Sequence, residues 1–144
     1  MVADQNLKNL TKEVKKELLK FPKVHPIEYE IYPKNLSEIY SKKRFKCGED
    51  MYSTLHIKRE EKEQRKVQFK KNFELFGAPV GIFIYIDRSM GYPQWSDVRI
   101  FIQSVLLLAL ENNLYSCAQE SWASFHDLVK RHTKVPKNLM LFVR

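Results

Sequence analysis

Cysteine is scarce: the 144-residue sequence has two, Cys47 and Cys117, far apart and without a CxxC spacing. That excludes a disulfide framework and a cysteine zinc site, and it fits reduced thiols in a cytoplasmic protein. Glycine and proline are few, four and six, with no biased tract and no internal repeat, which argues against linkers, collagen-like repeats and low-complexity regions. Long apolar runs are missing too. The longest, Val105 to Leu110, falls far short of the ~20 residues needed to cross a bilayer, so no membrane partner is expected. The opening MVADQNLKNLTKEVKKELL scatters charge throughout, against a cleaved secretion leader. GxGxxG, the P-loop pattern, HExxH and GxSxG are all absent, so Rossmann, P-loop, zincin and α/β-hydrolase chemistries lack their signatures. His25, His56, His126 and His132 show no ligand spacing with the cysteines, and no metal role is expected for them.

What is present suffices for one domain with a real core, since 44% of the residues are hydrophobic. The formal charge of +8 is concentrated, because Ser41 to Asn72 holds eleven Lys and Arg against five Asp and Glu. A basic face suits phosphates, of nucleic acid or of a cofactor, but a solvated charged helix has the same composition and is the simpler reading.

Leu7, Leu10, Val14, Leu18 and Phe21 recur at spacings of three, four, four and three, predicting an amphipathic helix from Gln5 that Pro22 ends. Lys23 to Lys34, with Pro26, Pro33, Tyr29 and Tyr32, reads as an extended crossing segment that packs its rings. Asn35 or Ser37 caps a short helix to Arg44, and Glu49 to Leu55 reads as another. A charged helix follows from Ile57 to Leu75, its apolar residues gathered at the end, with Gly77 as its stop. PVGIFIYID, Pro79 to Asp87, is apolar on both alternating faces and so predicts a strand in the middle of a covered sheet. Ser96 and Asp97 open a helix to about Asn113 that is apolar around most of its circumference, which requires enclosure by other elements or by a second subunit. Leu114 to Ala118 is an extended link, Gln119 to Arg131 a helix, and Leu139 to Val143 a second apolar strand. Two strands are few for such a sheet.

The words FGAPVGIFIYID, QWSD, CAQESW and PKNLMLFVR, in that order from Phe76 to Arg144, resemble the flavin-dependent nitroreductase family. YSKKRFKCGEDMYSTLHIKREEKEQRKVQFKKNFELFG resembles that family's middle more loosely. The resemblance implies an α+β fold, a mixed sheet flanked by helices, and a homodimer holding FMN at the subunit interface. It also implies ping-pong hydride transfer from NADH or NADPH to a small-molecule nitro or quinone-like acceptor, with the cofactor carrying the redox chemistry. The greasy helix is similar to the family's dimer-core helix. Ala118, Gln119, Glu120 and Ser121 match the turn whose backbone lies against the flavin, where fixed N–H groups at a helix start suit the negative charge of the reduced ring. By residue type alone, Glu120 is equally a first-turn acid, Trp122 a core aromatic, Cys117 a buried thiol, and Gln94 and Trp95 packing residues.

Members of this family open with an arginine- and serine-bearing helix for the FMN phosphate and continue past the last strand into an arm around the other subunit. Neither is matched here, so the chain reads as a truncated member, one incomplete domain over 1–144 with 1–28 helical and 76–143 the core match. Fold resemblance is expected to hold better than activity. Two rival functions stand beside the enzyme: a non-catalytic dimerising remnant, and a basic nucleic-acid-binding module, ranked lower because the aromatics do not interleave with the basic run.

Overall fold

The computed structural model describes residues 2–18 and 28–143. A short strand β1 (Val2–Ala3) leads into α1 (Asp4–Leu18), whose Leu7, Leu10 and Val14 form one buried stripe, as their spacing requires. The expected helix end at Phe21 and Pro22 and the first part of the crossing segment lie outside the described residues. Residues 28–37 then run without regular structure.

Where two short helices are expected, α2 (Glu38–Thr54) is one continuous helix of 17 residues. Gly48 does not break it, and Lys42–Glu38 and Lys46–Asp50 ion pairs one turn apart staple its exposed faces. The long charged helix expected next is shorter: α3 (Lys62–Lys70) gives way to a 3₁₀ helix, Lys71–Gly77. Phe73 and Leu75 both enter the core. Positions two apart cannot share one α-helical face, so the chain tightens and then kinks, with Leu75 at φ 58°, Phe76 at φ 50° and Gly77 at φ 82°.

The expected central strand is also divided. β2 (Val80–Gly81) pairs antiparallel with β1, and β3 (Ile84–Asp87) pairs antiparallel with β4 (Leu139–Val143), with a register shift between Ile84 and Tyr85. Gly81 lies close against Leu75, Phe83 and Leu7, and the chain pivots there from one ladder to the other. Val80 and Ile82 are exposed, so among the described residues this segment is not covered on both sides.

The apolar helix α4 (Tyr92–Glu111) starts earlier than its expected Ser96 cap. Gly91 N–H donates to Gln94 Oε1 at 3.2 Å and Pro93 stands in the first turn, where its fixed φ suits a helix. The single helix expected after the link begins instead as a 3₁₀ helix, Ser121–Phe125, and continues as α5 (His126–Thr133), closed by Lys134 at φ 53°.

The result is an α+β arrangement of five α-helices and two antiparallel two-stranded ladders among the described residues. One apolar cluster joins α1, the two 3₁₀ helices, α5 and β4 around Leu10, Val14, Trp122 and Phe125; a smaller one gathers Ile86, Ile102, Met140 and Phe142. Glu28 clasps these parts together. Its buried carboxylate accepts from Lys130 Nζ at 2.6 Å, from Arg88 and from Leu141 N–H at 3.2 Å, with His126 Nδ1 at 3.5 Å. Burial pushes its pKa up, but the bonds from Lys130 and Arg88 and the His126 charge outweigh burial and hold it below the ordinary value of 4.5. Among the described residues no helix is long and apolar enough to cross a membrane.

Candidate functional site

The turn expected to face a cofactor begins where α4 stops. Asn113 takes φ 58° and Leu114 N–H returns to Ala109 O at 2.8 Å, which closes the helix. Residues 114–120 follow without regular structure, with Tyr115 almost fully on the surface and Cys117 exposed, so Cys117 is an exposed thiol and not a buried one. Ala118 is exposed, Glu120 and Ser121 are half-buried, and Gln119 is buried at 8% exposure. Ala123 N–H then donates to Glu120 O at 2.9 Å and starts the 3₁₀ helix. Among the described residues, nothing accepts a hydrogen bond from the N–H groups of Ala118, Gln119, Glu120 or Ser121. Buried amides are nearly always paired, so four consecutive free donors on a surface turn are available to water or to a ligand.

Behind the turn, side chains bond to Asn72. Gln119 Nε2 donates to Asn72 Oδ1 at 3.1 Å and Trp122 Nε1 to the Asn72 carbonyl at 2.9 Å, while Asn72 Nδ2 donates to Phe69 O at 2.9 Å. Phe73, next in the chain, sets its ring against Trp122 and edge-on to Phe125. Trp122 is therefore the core aromatic its residue type suggests, and it also anchors the turn. Gln119 Oε1 and Ser121 Oγ are buried with no hydrogen-bond partner among the described residues.

In front, Glu120 pairs with Arg99 of α4, and the Arg99 guanidinium lies over the Phe142 ring at 5.0 Å. Phe142 in turn meets Trp95 at 5.2 Å and Tyr29 at 6.0 Å, and Tyr29 O–H donates to the Phe142 carbonyl. Burial, with help from the Glu120 charge and against that of Arg99, pushes the Tyr29 hydroxyl up to about 12, so it stays a neutral donor. Gln94 caps α4 and Trp95 packs, as the plainer reading of each expects. Asn72 and Arg99 carried no sequence signal for this role, because they reach the turn from distant elements.

Among the described residues no group of His, Cys, Asp and Glu forms a metal site; His126 sits beside Glu28 and His132 Nε2 meets Glu13 Oε2 at 2.9 Å. A groove of about 500 Å³ along α2, lined by Glu38, Ser41, Lys42, Arg44 and Phe45, includes no residue of the turn. The turn thus offers amides with no acceptor among the described residues, the kind of donors that could hold the polar edge of a cofactor ring, while Gln119 Oε1 and Ser121 Oγ lie buried behind them.

Comparison with known proteins gives one answer at three levels. The profile of the nitroreductase family matches residues 6–144. The chain is 32% identical over 109 residues to a 4-nitrobenzoate reductase of Pseudomonas putida, covering 76% of this chain and 47% of that one. It is 29% identical over 114 residues to a 4-nitrobenzoate reductase of Nocardioides sp. (strain LMS-CY), covering 78% of this chain and 46% of that one. It therefore spans about half the length of the curated relatives it matches. Among solved structures, the FMN and NADPH-dependent nitroreductase NfnB from sphigopyxis sp. strain HMH superposes with a TM-score of 0.93 at 35% identity, over 99% of this chain and 64% of that one. The NfnB of Mycobacterium smegmatis shares the fold, with a TM-score of 0.87 at 16% identity. With a match running from residue 6 to residue 144 and a backbone that follows that of a family enzyme nearly throughout, this chain belongs to the nitroreductase family.

Proposed function

We propose that this chain is the ring-facing and dimer-forming part of an FMN-dependent, NAD(P)H-using nitroreductase. The observation that carries the reading is the row of amides from Ala118 to Ser121, which have no acceptor among the described residues and are held from behind by Asn72. Bound FMN supplies two-electron redox chemistry between NADH or NADPH and a nitro or quinone-like acceptor. The chain's own residues supply orientation: the amides of Gln119, Glu120 and Ser121 offer fixed donors to the ring's N5 and O4 edge, where negative charge grows on reduction. The names of the relatives, two of them 4-nitrobenzoate reductases, favour an aromatic nitro acceptor.

The second wall of the site comes from another copy of the chain. Ile100, Phe101, Leu107, Leu108 and Leu110 of α4 are each more than half exposed, a patch of the kind that marks an interface. Residues 1–144 then act as one partial domain, and the cytoplasm, where NAD(P)H is available and the exposed thiols of Cys47 and Cys117 stay reduced, suits it. Titration of the chain into FMN, followed by flavin fluorescence, together with sedimentation, tests this. Saturable quenching at one FMN per protomer in a dimer is expected, and unchanged emission up to high protein concentration defeats the flavin reading.

A further inference from the structure

Glu120 is the one acid in the turn Cys117–Ser121, and it stands among amides that the proposed reading assigns to a ring that becomes more negative on reduction. A bare carboxylate there opposes the field of those amides. In this structure it is not bare. Arg99, one turn below Trp95 on α4, pairs with it, and the same guanidinium lies over the Phe142 ring of β4, which Trp95 and Tyr29 hold in place. Arg99 thus binds at two points at once, an anion in the turn and a ring in the core. The pair is the sole ion pair of the turn among the described residues, and it ties the turn to α4, whereas Asn72 ties it to the opposite side. Arginine suits this double engagement because its flat guanidinium stacks and forks together; a lysine ammonium does only part of both.

We propose that Arg99 is a positioning residue of the turn: by pairing with Glu120 it fixes the orientation of the amides at Gln119 to Ser121 and cancels the carboxylate that would repel a reduced flavin. The proposal rests on the flavin reading for its second clause only. Arg99 and Glu120 are both partly in water, and ion pairs of that kind add little to global stability, so substitutions at Arg99 act locally and leave the fold standing.

Two measurements on the full chain test it, one free of cofactor. Hydrogen exchange is followed at the Ala123 N–H, the hydrogen-bonded amide of the turn, in the wild type, Arg99→Met, Glu120→Gln and the double variant. Each single substitution should speed exchange of the Ala123 N–H, which donates to the Glu120 carbonyl, about tenfold, and the double no more than either, since both cut the same tie. Unchanged exchange in Arg99→Met, or additive effects in the double, overturns the positioning role. In parallel, oxidised and reduced FMN are titrated into wild type, Arg99→Met and Arg99→Lys. Arg99→Met should weaken oxidised FMN about threefold and reduced FMN about tenfold more, because the unmasked carboxylate acts on the added charge; Arg99→Lys should recover most of that difference. Equal weakening of both forms, or none, overturns the electrostatic role. A wild type that binds neither form defeats the flavin reading and with it the electrostatic clause, while the exchange result still decides the positioning clause.

Discussion

Leu10, Val14, Trp122 and Phe125 are shut from solvent, whereas Ile39 and Phe45 on α2, Val67 on α3, and Ile100, Phe101, Leu107 and Leu108 on α4 each show more than half of their surface. The two sets have the same chemistry. What separates them is whether the chain itself provides an opposing face: α1, α5 and the two 3₁₀ helices close on one another, while α2 and α3 bury nothing and α4 buries only Ile102. An apolar residue held in water is a demand for a partner, and the candidate turn lies where the two regions meet, anchored in the closed one by Trp122 and facing the open one through Arg99.

The sharpest way to separate the regions is to damage the closed one. Trp122→Ala should cost about 3–5 kcal/mol through its cavity and the lost bond to Asn72, seen as a lower urea midpoint, and it should free the turn at the same time. A smaller effect follows at Glu28. Its pKa is lowered by folding, so its contribution is present above the unfolded value and is lost as pH falls through the folded one. Stability should therefore drop as pH falls below 4.5, and Glu28→Gln should cost about 3 kcal/mol at neutral pH and flatten that acid-side dependence in pH-resolved thermal melts. The open region should respond in the other way. Leu107→Glu with Leu108→Glu should change the stability of the monomer by less than about 0.5 kcal/mol yet shift sedimentation from dimer to monomer; a dimer that persists removes α4 from the interface. Smallest of all, Arg65→Ala cuts the bidentate tie to Glu49 that joins α3 to α2. It should speed amide exchange within residues 46–68 and leave the global transition unmoved.

The same contrast explains what could be read in advance. The α1 stripe was legible because Leu7, Leu10 and Val14 answer to one buried face, and β4 because five apolar residues in a row have no helical alternative at that length. The boundaries of α2 and α3 were not, since helices that bury no residue leave no periodicity to read. At Ser121–Phe125, Trp122 and Phe125 are three apart, a spacing that α and 3₁₀ winding both satisfy, so the tighter coil was invisible. The division at Gly81 was hidden for a different reason: Ile82, though apolar, is exposed among the described residues. The turn residues themselves are singled out by resemblance alone. The hydrogen bonds from Gln119 and Trp122 to Asn72 span 47 and 50 residues of sequence and have no local signature.

One feature of the backbone restricts how this chain can vary. Leu75, Phe76 and Gly77 are three successive left-handed residues, a conformation that costs a side-chain-bearing residue about 1–2 kcal/mol. Leu75 meets that cost by burial, but Phe76 is half exposed and has no such compensation. Position 76 should therefore accept glycine or asparagine with a gain in stability and reject valine and isoleucine, whatever their size, which makes this corner a place where backbone handedness, more than hydrophobicity, sets the permitted alphabet.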